Sequence, residues 1–168
     1  MLMTNDYGGK HDPRLLRSAL SAFATGVTVV TTRDEDGTPV GLTANSFNSV
    51  SLDPPLVLWS LSRAASCLPV FCRASHWVVH VLSATQQELS RRFASRGERF
   101  TGLDYSIGLE GMPLLADCAA RFQCRSAFQY AGGDHVILVG QVLQFEHAES
   151  DPLVFHGGRY ARLNPGLS

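Results

Sequence analysis

Residues 40–55 read VGLTANSFNSVSLDPP, and the rest of the chain is organised around them. The stretch begins as an apolar strand, carries no charge before Asp53, and ends at a double proline. Six hydroxyl or amide side chains fall within nine positions, at Thr43, Asn45, Ser46, Asn48, Ser49 and Ser51. Such side chains compete for backbone hydrogen bonds, so they favour a loop or a strand edge over a helix. The stretch is either an ordinary polar connection or a surface that binds a polar heterocycle or a phosphate.

The composition is that of an ordinary globular domain. The chain has 168 residues, enough for one domain with a substantial core. Hydrophobic residues make up 45%, charged residues 17%, and the net charge is −1. This balance indicates neither a nucleic acid nor an anionic membrane as partner. Low charge beside many apolar residues fits a protein that buries part of its surface in an oligomer.

We expect a domain at residues 12–168 behind a flexible tail at residues 1–11. The tail is polar and lacks the apolar core of a signal peptide, and no apolar run approaches the length of a membrane span. Four cysteines form neither a CxxC pair nor a zinc-like array with histidine. The sequence therefore predicts a cytoplasmic protein with free, buried thiols.

The first third of the chain predicts a helix and a hairpin. Asp12 and Pro13 supply an N-cap and a first-turn proline, and Gly26 follows as a C-terminal glycine. These signals predict a helix over residues 13–24. β-Branched residues predict a strand at 27–32, and 40–44 returns as its hairpin partner.

The middle of the chain predicts two apolar strands, at 56–61 and 77–82. A short helix between them is expected to be capped by Ser66, with Pro69 in its first turn. After the second strand, Ser83 and Gln86 form a capping box, which predicts a helix over residues 84–94.

The last part predicts an irregular segment followed by strands. Residues 95–116 show little periodicity and are typical of a segment that covers a site. Strands are expected at 117–127, 135–146 and 153–163. Six or seven strands and three helices without βαβ alternation favour a mainly β, antiparallel barrel over a doubly wound sheet.

Few local motifs point to chemistry. The sequence has no nucleophile elbow, P-loop, GxGxxG or HExxH, which counts against the enzyme classes that use them. His76 and His80 have no third ligand nearby in sequence, so a metal site is disfavoured. His135, after two glycines, is either a turn histidine beside Asp134 or a ring presented to a cavity. Residues 155–160, FHGGRY, are either a hairpin end or part of a dinucleotide cleft.

The sequence resembles the flavin reductase family from about residue 20 to 162. The most specific similarity is GLTANSFNSVSLDPPLV at 41–57. Further motifs follow the family's order: FATGVTVVTT at 23–32, SRAAS at 62–66, FA at 93–94, GDH at 133–135 and GGRY at 157–160. Members of this family are NAD(P)H:flavin oxidoreductases that supply reduced flavin to two-component monooxygenases.

The resemblance implies an FMN-binding split β-barrel, antiparallel and Greek-key-like, with a few peripheral helices. It implies a homodimer with FMN or FAD near the subunit interface, and NADH or NADPH as hydride donor. The residues that would line the flavin ring and its ribityl chain are Thr43, Ala44, Asn45, Ser46, Ser49, Val50 and Ser51. Those that would approach the phosphate are Ser60, Ser62, Arg63 and Ser66.

The remaining motifs carry over as further contacts. Phe93 and Ala94 would lie against the flavin, His135 would face the nicotinamide, and Arg159 with Tyr160 would hold the rest of the pyridine nucleotide. Hydride then passes directly from nicotinamide C4 to flavin N5, so the protein mainly orients the two rings. Hydrogen-bond donors at the pyrimidine edge would stabilise the charge of the reduced flavin.

Two other functions fit parts of the sequence. A flavin storage or sensor protein would use the same barrel but would not need His135, Arg159 or Tyr160. An oxidase acting on a pyridoxal-type phosphate would need a strongly basic phosphate site, which the sequence lacks. The sequence leaves open FMN or FAD, NADH or NADPH, and the identity of a partner monooxygenase.

Overall fold

The computed structural model describes residues 12–163, which form an antiparallel β structure with three α-helices. The helices are α1 (Pro13–Leu20), α2 (Leu68–Arg73) and α3 (Gln87–Ala94), and a 3-10 turn covers Leu109–Gly111. The strands are β1 (Thr25–Gly26), β2 (Thr28–Arg33), β3 (Pro39–Ala44), β4 (Asn48–Leu52), β5 (Pro55–Ser62), β6 (His76–Val81), β7 (Ser106–Ile107), β8 (Pro113–Leu114), β9 (Ala120–Gly132), β10 (His135–His147), β11 (Val154–His156) and β12 (Arg159–Ala161).

The main sheet curls because its two edge strands are consecutive in the chain. Its order is β3-β2-β6-β9-β10-β5-β4, and all neighbouring pairs are antiparallel. Residues 45–47 alone join one edge to the other. A link of this length reaches about 14 Å when extended, whereas seven flat strands are about 28 Å wide. The sheet must therefore roll until its edges approach.

At the seam, where the edge strands β3 and β4 approach each other, a serine in the link between them bonds to β5. Ser46 Oγ accepts a hydrogen bond from the backbone N–H of Ser60 at 2.9 Å and donates one to the Ser60 carbonyl at 3.1 Å. No strand ladder joins β3 to β4 or β5 in residues 12–163, so the barrel stays open at this point. The architecture is the mainly β, split barrel that the sequence predicts.

The longest hairpin lies at the centre of the sheet. Strands β9 and β10 have 13 residues each, and register shifts after Val139 and Val142 bend them. At the start of β10, His135 pairs with Ser62 at the end of β5. The hairpin turn therefore lies beside the polar connection that follows β5.

Two clusters of buried apolar side chains form the core. The larger draws on β2, β5, β6, β9, β10 and α2, and in it the Trp59 ring meets those of Phe71 and Trp77 edge to face. The smaller cluster includes Phe93 and Leu153, and attaches α3 and the β1-β11-β12 sheet to the barrel. The loops between these strands and helices are thus attached to closely packed elements.

His80 belongs to the core. Its Nε2 accepts a hydrogen bond from the Leu115 N–H at 3.1 Å, so the proton lies on Nδ1, which donates to the Val29 carbonyl at 3.1 Å. Burial lowers the pKa of His80 to about 3. The ring is neutral and both nitrogens are used in structural bonds, which leaves no lone pair for a metal.

The first two helices each differ from the sequence prediction at one end. Helix α1 ends at Leu20 rather than at residue 24. Helix α2 has Cys67 rather than Ser66 at its N-cap, so the predicted serine cap is wrong. Local signals mark where a helix is favoured, but the chain direction at its end is set by tertiary packing.

The third helix begins three residues later than predicted. The capping-box hydrogen bond from the Ser83 N–H to Gln86 Oε1 is present at 3.0 Å. Yet Ser83 pairs in an isolated bridge with Pro152, and Gln86 is the N-cap. The bond therefore closes a turn before α3 rather than its first turn.

Other predictions concern strands and thiols. Residues 48–52 form an edge strand, β4, whose pairing with β5 shifts register between Ser49 and Ser51. The predicted strand at 153–163 is the two-stranded hairpin β11-β12. The four cysteines are free thiols, as predicted, but only Cys124 is buried and the other three are half-buried. Burial raises the pKa of Cys118 to about 11 and of Cys124 to about 12. The predicted tail lies outside the described residues. Within residues 12–163, no helix is both long enough and apolar enough to cross a bilayer.

Candidate active site

An open cleft of about 920 Å³ lies on the side of the barrel that carries β3. Three segments form its walls: residues 38–42 of the β2-β3 turn and β3, residues 64–67 before α2, and residues 94–101 after α3, with Val70 between them. A volume of this size suits a cofactor. Of the predicted flavin-binding residues, Ser66 and Ala94 line this cleft directly.

The first wall depends on a glycine. A Cβ atom on Gly41 would lie 2.7 Å from Cε1 of Phe93, so only glycine lets the strand approach this ring. Phe93 is fully buried, and its ring meets that of Phe100 edge to face with centroids 5.1 Å apart. Phe100 in turn lines the cleft. Phe93 therefore supports the wall, while Phe100 forms its surface.

Arg99 places a cation in the cleft. Its guanidinium donates to the carbonyls of Gly41 (2.5 Å) and Ser95 (2.7 and 2.9 Å). A guanidinium has five N–H groups, so two remain for a ligand. Arg99 also acts on Cys67 in the opposite wall, where burial raises the pKa of the thiol and the arginine opposes that rise. The cleft is thus lined by Arg96, Glu98 and Arg99, and Arg99 acts on the thiol of the opposite wall.

Beyond the cleft, β3 leads into the polar stretch. Thr43 Oγ1 donates to the Ser90 carbonyl at 2.7 Å, and Ser90 Oγ lies 2.8 Å from the Tyr160 hydroxyl. Ser90 is fully buried. The structure therefore connects a predicted flavin residue, Thr43, with a predicted nucleotide residue, Tyr160, through one helix residue.

The polar stretch itself is divided between the seam and the sheet edge. Asn45 is exposed in the link between β3 and β4, and Ser46 bonds to Ser60 across the seam. Ser49 and Val50 are exposed on β4, where Ser51 is half-buried. Ala44 accepts a hydrogen bond from Thr28 at its carbonyl. These residues follow β3 along the chain through the link and into β4.

A second polar group lies at the β9-β10 turn. Arg63 donates from Nε to the Gly133 carbonyl (3.0 Å) and from its backbone to the Asp134 carbonyl (2.8 Å). His135 Nδ1 is 2.7 Å from Asp134 Oδ1, and this hydrogen bond lowers the pKa of Asp134. The histidine side chain is 43% exposed. Asp134 thereby holds Nδ1, and Nε2 makes no hydrogen bond within residues 12–163.

The predicted residues are not gathered into one pocket. Ser66 and Ala94 line the cleft, whereas Ser62, Arg63 and His135 meet at the hairpin turn. Arg159 is exposed on β12 opposite His156. Among the described residues, these side chains therefore fall into three separate groups.

Sequence reasoning missed several residues that line the cleft. They are Leu42, Cys67, Arg96, Arg99 and Phe100. The available signal was the irregular segment 95–116 with its arginines and aromatic residue, which was expected to cover a site. No group of metal ligands is found within residues 12–163.

Comparison with known proteins gives a consistent result. The model of the flavin reductase like domain matches residues 20–164. FMN reductase (NADH) SmoA of Agrobacterium fabrum is 50% identical over 156 residues, which cover 93% of this chain and 89% of SmoA. Stachydrine N-demethylase reductase subunit Stc3 of Rhizobium meliloti is 42% identical over 89% of this chain, which spans 65% of the length of Stc3.

A solved structure agrees with the sequence relatives. The NADH:FAD oxidoreductase SgcE6 of Streptomyces globisporus, in complex with NAD and FAD fragments, superposes with a TM-score of 0.88 at 38% identity. The match covers 94% of this chain and 96% of SgcE6. The cleft, the polar edge of β3 and the ordered motifs therefore belong to a known family. This chain is a member of the flavin reductase like domain family.

Proposed function

We propose that this protein reduces FMN or FAD with NADH or NADPH. Hydride passes from nicotinamide C4 to flavin N5. The observation that carries the proposal is the cleft of about 920 Å³, which opens onto the polar edge of β3 in a chain whose family model matches residues 20–164. The relatives SmoA and SgcE6 are named for NADH-dependent reduction of FMN and FAD respectively.

The flavin lies along β3. Its phosphate end occupies the cleft, where Ser66 and the two remaining N–H groups of Arg99 bind the anion. Its ring extends along Thr43 and Ala44 to Asn45 and the β4 edge. This placement is supported by the absence of charge between Val40 and Leu52, which suits a neutral ring.

The pyridine nucleotide approaches from the two flanking polar regions. His135 is half-exposed and held by Asp134, so its outer nitrogen can contact the nicotinamide carboxamide. Arg159 is exposed for the nucleotide's phosphates. Tyr160 is linked to Thr43 through Ser90, which supports a shared role at the place where the two rings meet.

The residues of this chain bind and orient rather than transfer protons. The bound flavin and nucleotide supply the redox chemistry. The walls formed by residues 38–42 and 94–101 fix one flavin position, which turns a bimolecular encounter into a positioned reaction. The side-chain amide of the exposed Asn45 donates to the reduced ring, because the hydroxyl protons of Thr43 and Ser46 are already donated to the carbonyls of Ser90 and Ser60.

A homodimer is part of the proposal. Large apolar side chains are exposed on the central hairpin, among them Phe128, Tyr130 and Phe145, and Leu52 of β4 is 93% exposed. The Phe128 and Tyr130 rings stack with centroids 6.3 Å apart, and exposed apolar groups of this size are typical of an interaction site. Sedimentation of wild type and Phe145→Glu tests it, since a dimer requires the wild type to sediment at twice the monomer mass.

The reduced flavin is expected to serve a flavin-dependent monooxygenase in the cytoplasm. Support comes from Stc3, which is named as the reductase subunit of a demethylase. The storage or sensor alternative has no such support, because the relatives above are named as reductases.

The experiment is a matrix of anaerobic mixtures of protein with NADH or NADPH and FMN or FAD. Bleaching of the flavin band with at least one pair is expected. A stable yellow complex without nucleotide oxidation would favour storage, and no bleaching with any pair would overturn the proposal.

A further inference from the structure

Arg92 occupies an unusual place on helix α3. The preceding residue, Arg91, is exposed and pairs with Glu88, and the following residue, Phe93, is fully buried. The Arg92 side chain is half-buried between them. It takes part in no ion pair within residues 12–163, and its guanidinium donates hydrogen bonds to neutral groups instead.

Those neutral groups are two carbonyls in the cleft wall. Arg92 Nε donates to the carbonyl of Arg99 at 2.6 Å, and Nη2 donates to the carbonyl of Thr101. Hydrogen bonds from a charged donor are stronger than those between neutral groups. One side chain therefore holds the wall at two alternate residues.

The wall has little other support from its own backbone. After α3 the chain passes Gly97, with φ of +109°, and reaches Gly102, with φ of +66°. Outside helices and strands, residues 96–102 take part in one backbone–backbone hydrogen bond within the described part of the chain, in which the Phe100 carbonyl accepts from the Leu103 N–H at 3.0 Å. Side chains must therefore fix the path of this segment.

Three side chains do so from different directions. Phe100 packs against Phe93, and Arg99 donates to the Gly41 carbonyl. Arg92, on α3, donates to the carbonyls of Arg99 and Thr101. The backbone carbonyl that Arg92 binds belongs to the same residue, Arg99, whose guanidinium lies in the cleft. The position of that cation thus depends on Arg92.

We propose that Arg92 is a positioning residue that fixes residues 99–101 as the flavin-binding wall and so sets flavin affinity. This rests on the proposed function, because it takes the cleft as the flavin site. Arg92 does not itself line the cleft, so its effect passes through Arg99 and Phe100. Its loss changes flavin binding more than the rate of the bound complex.

The test compares Arg92→Ala and Arg92→Lys with Arg91→Ala, a matched control that removes the neighbouring exposed arginine of the same helix. Amide hydrogen exchange is measured without ligand over residues 95–102, and the dissociation constant of FMN by fluorescence quenching. We expect Arg92→Ala to speed exchange across the segment and to weaken FMN binding about tenfold, the effect of losing a charged donor. Turnover at saturating flavin should change less than about twofold, since uniform binding energy is removed.

Arg92→Lys should recover part of both effects, because an ammonium can bind one of the two carbonyls, and Arg91→Ala should match wild type in exchange and FMN affinity. Unchanged exchange and unchanged affinity in Arg92→Ala would overturn the proposal, as would faster exchange with unchanged affinity. If wild type binds no flavin, the proposed function fails, while the exchange rates still decide whether Arg92 holds the wall. If Arg92→Ala does not fold, the same comparison is read from Arg92→Lys.

Discussion

Ser46 Oγ lies 2.9 Å from the backbone nitrogen of Ser60, and this contact ties the link between the two edge strands of the seven-stranded sheet, β3 and β4, to β5. The hydroxyl that was predicted to bind flavin is also the group that holds the seam. The proposed flavin contact and the seam therefore share a residue in the link between β3 and β4.

Removing this hydroxyl should loosen the seam. Ser46→Ala loses both bonds to Ser60 and leaves a half-buried N–H and carbonyl without their partner. We expect the free energy of unfolding to fall by ~1–2 kcal/mol. Urea unfolding checks this, with Ser49→Ala on exposed β4 as the stability control. Equal losses in both variants would contradict a role for the seam.

Gly41→Ala should distort the cleft wall that β3 forms against Phe93. The new Cβ would lie 2.7 Å from the buried Phe93 ring, which cannot move without displacing Phe100. The expected cost is about 1–3 kcal/mol of stability, together with weaker flavin binding. Gly26→Ala is the control, because a Cβ there meets nothing within 4 Å. Thermal melting and flavin titration of the two variants should differ clearly.

His80 should make the fold sensitive to acid. Its folded pKa is about 3, below the unfolded value of 6.5, so between these values the unfolded chain binds the extra proton. The contribution of His80 to the free energy of unfolding is complete above pH 6.5 and declines as the pH falls toward 3. The decline is at most about 1.4 kcal/mol per pH unit. Urea unfolding across this range should show a shallower pH dependence in His80→Asn than in wild type. Parallel curves would show that His80 is not the group responsible.

His135→Ala should separate nucleotide use from flavin binding. The ring is exposed at the hairpin turn and does not line the cleft, so FMN affinity should stay near wild type. The KM for the reduced nucleotide should rise about tenfold, as expected on losing a hydrogen bond to a bound ligand. His147→Ala, an exposed histidine at the other end of β10, is the control. Loss of flavin binding with normal nucleotide use would show that His135 has another role.

Local sequence patterns predicted much of the fold but not its closure. β-Branched and apolar runs identified β2, β3, β5 and β6, because burial on a sheet selects such residues. Nothing local indicates that β3 and β4, three residues apart, are opposite edges of one sheet. Register and strand order depend on long-range pairing, as the contact between Ser46 and Ser60 illustrates.

The site was predicted where motifs are contiguous and missed where it depends on tertiary structure. Ser66 and Ala94 could be named because they lie in short family motifs. Arg99 and Phe100 lie in a segment without periodicity, whose path depends on Gly97 and on hydrogen bonds from Arg92. The hydrogen bonds from Arg92 join residues seven to nine positions apart across a turn, and no local sequence pattern predicts them.

The central claim is that flavin bound in the cleft between residues 38–42, 64–67 and 94–101 is reduced by a pyridine nucleotide. The most direct measurement is anaerobic flavin bleaching by three proteins: wild type, Ala94→Trp and Ala22→Trp. Ala94→Trp puts an indole into the cleft from an exposed position, and Ala22→Trp is the control at an exposed site elsewhere. The account predicts bleaching by wild type and Ala22→Trp, and a KM for flavin at least about tenfold higher in Ala94→Trp, since the indole occupies space the flavin needs. Equal rates and equal KM values in all three proteins, or no bleaching by wild type with any flavin and nucleotide, would contradict it.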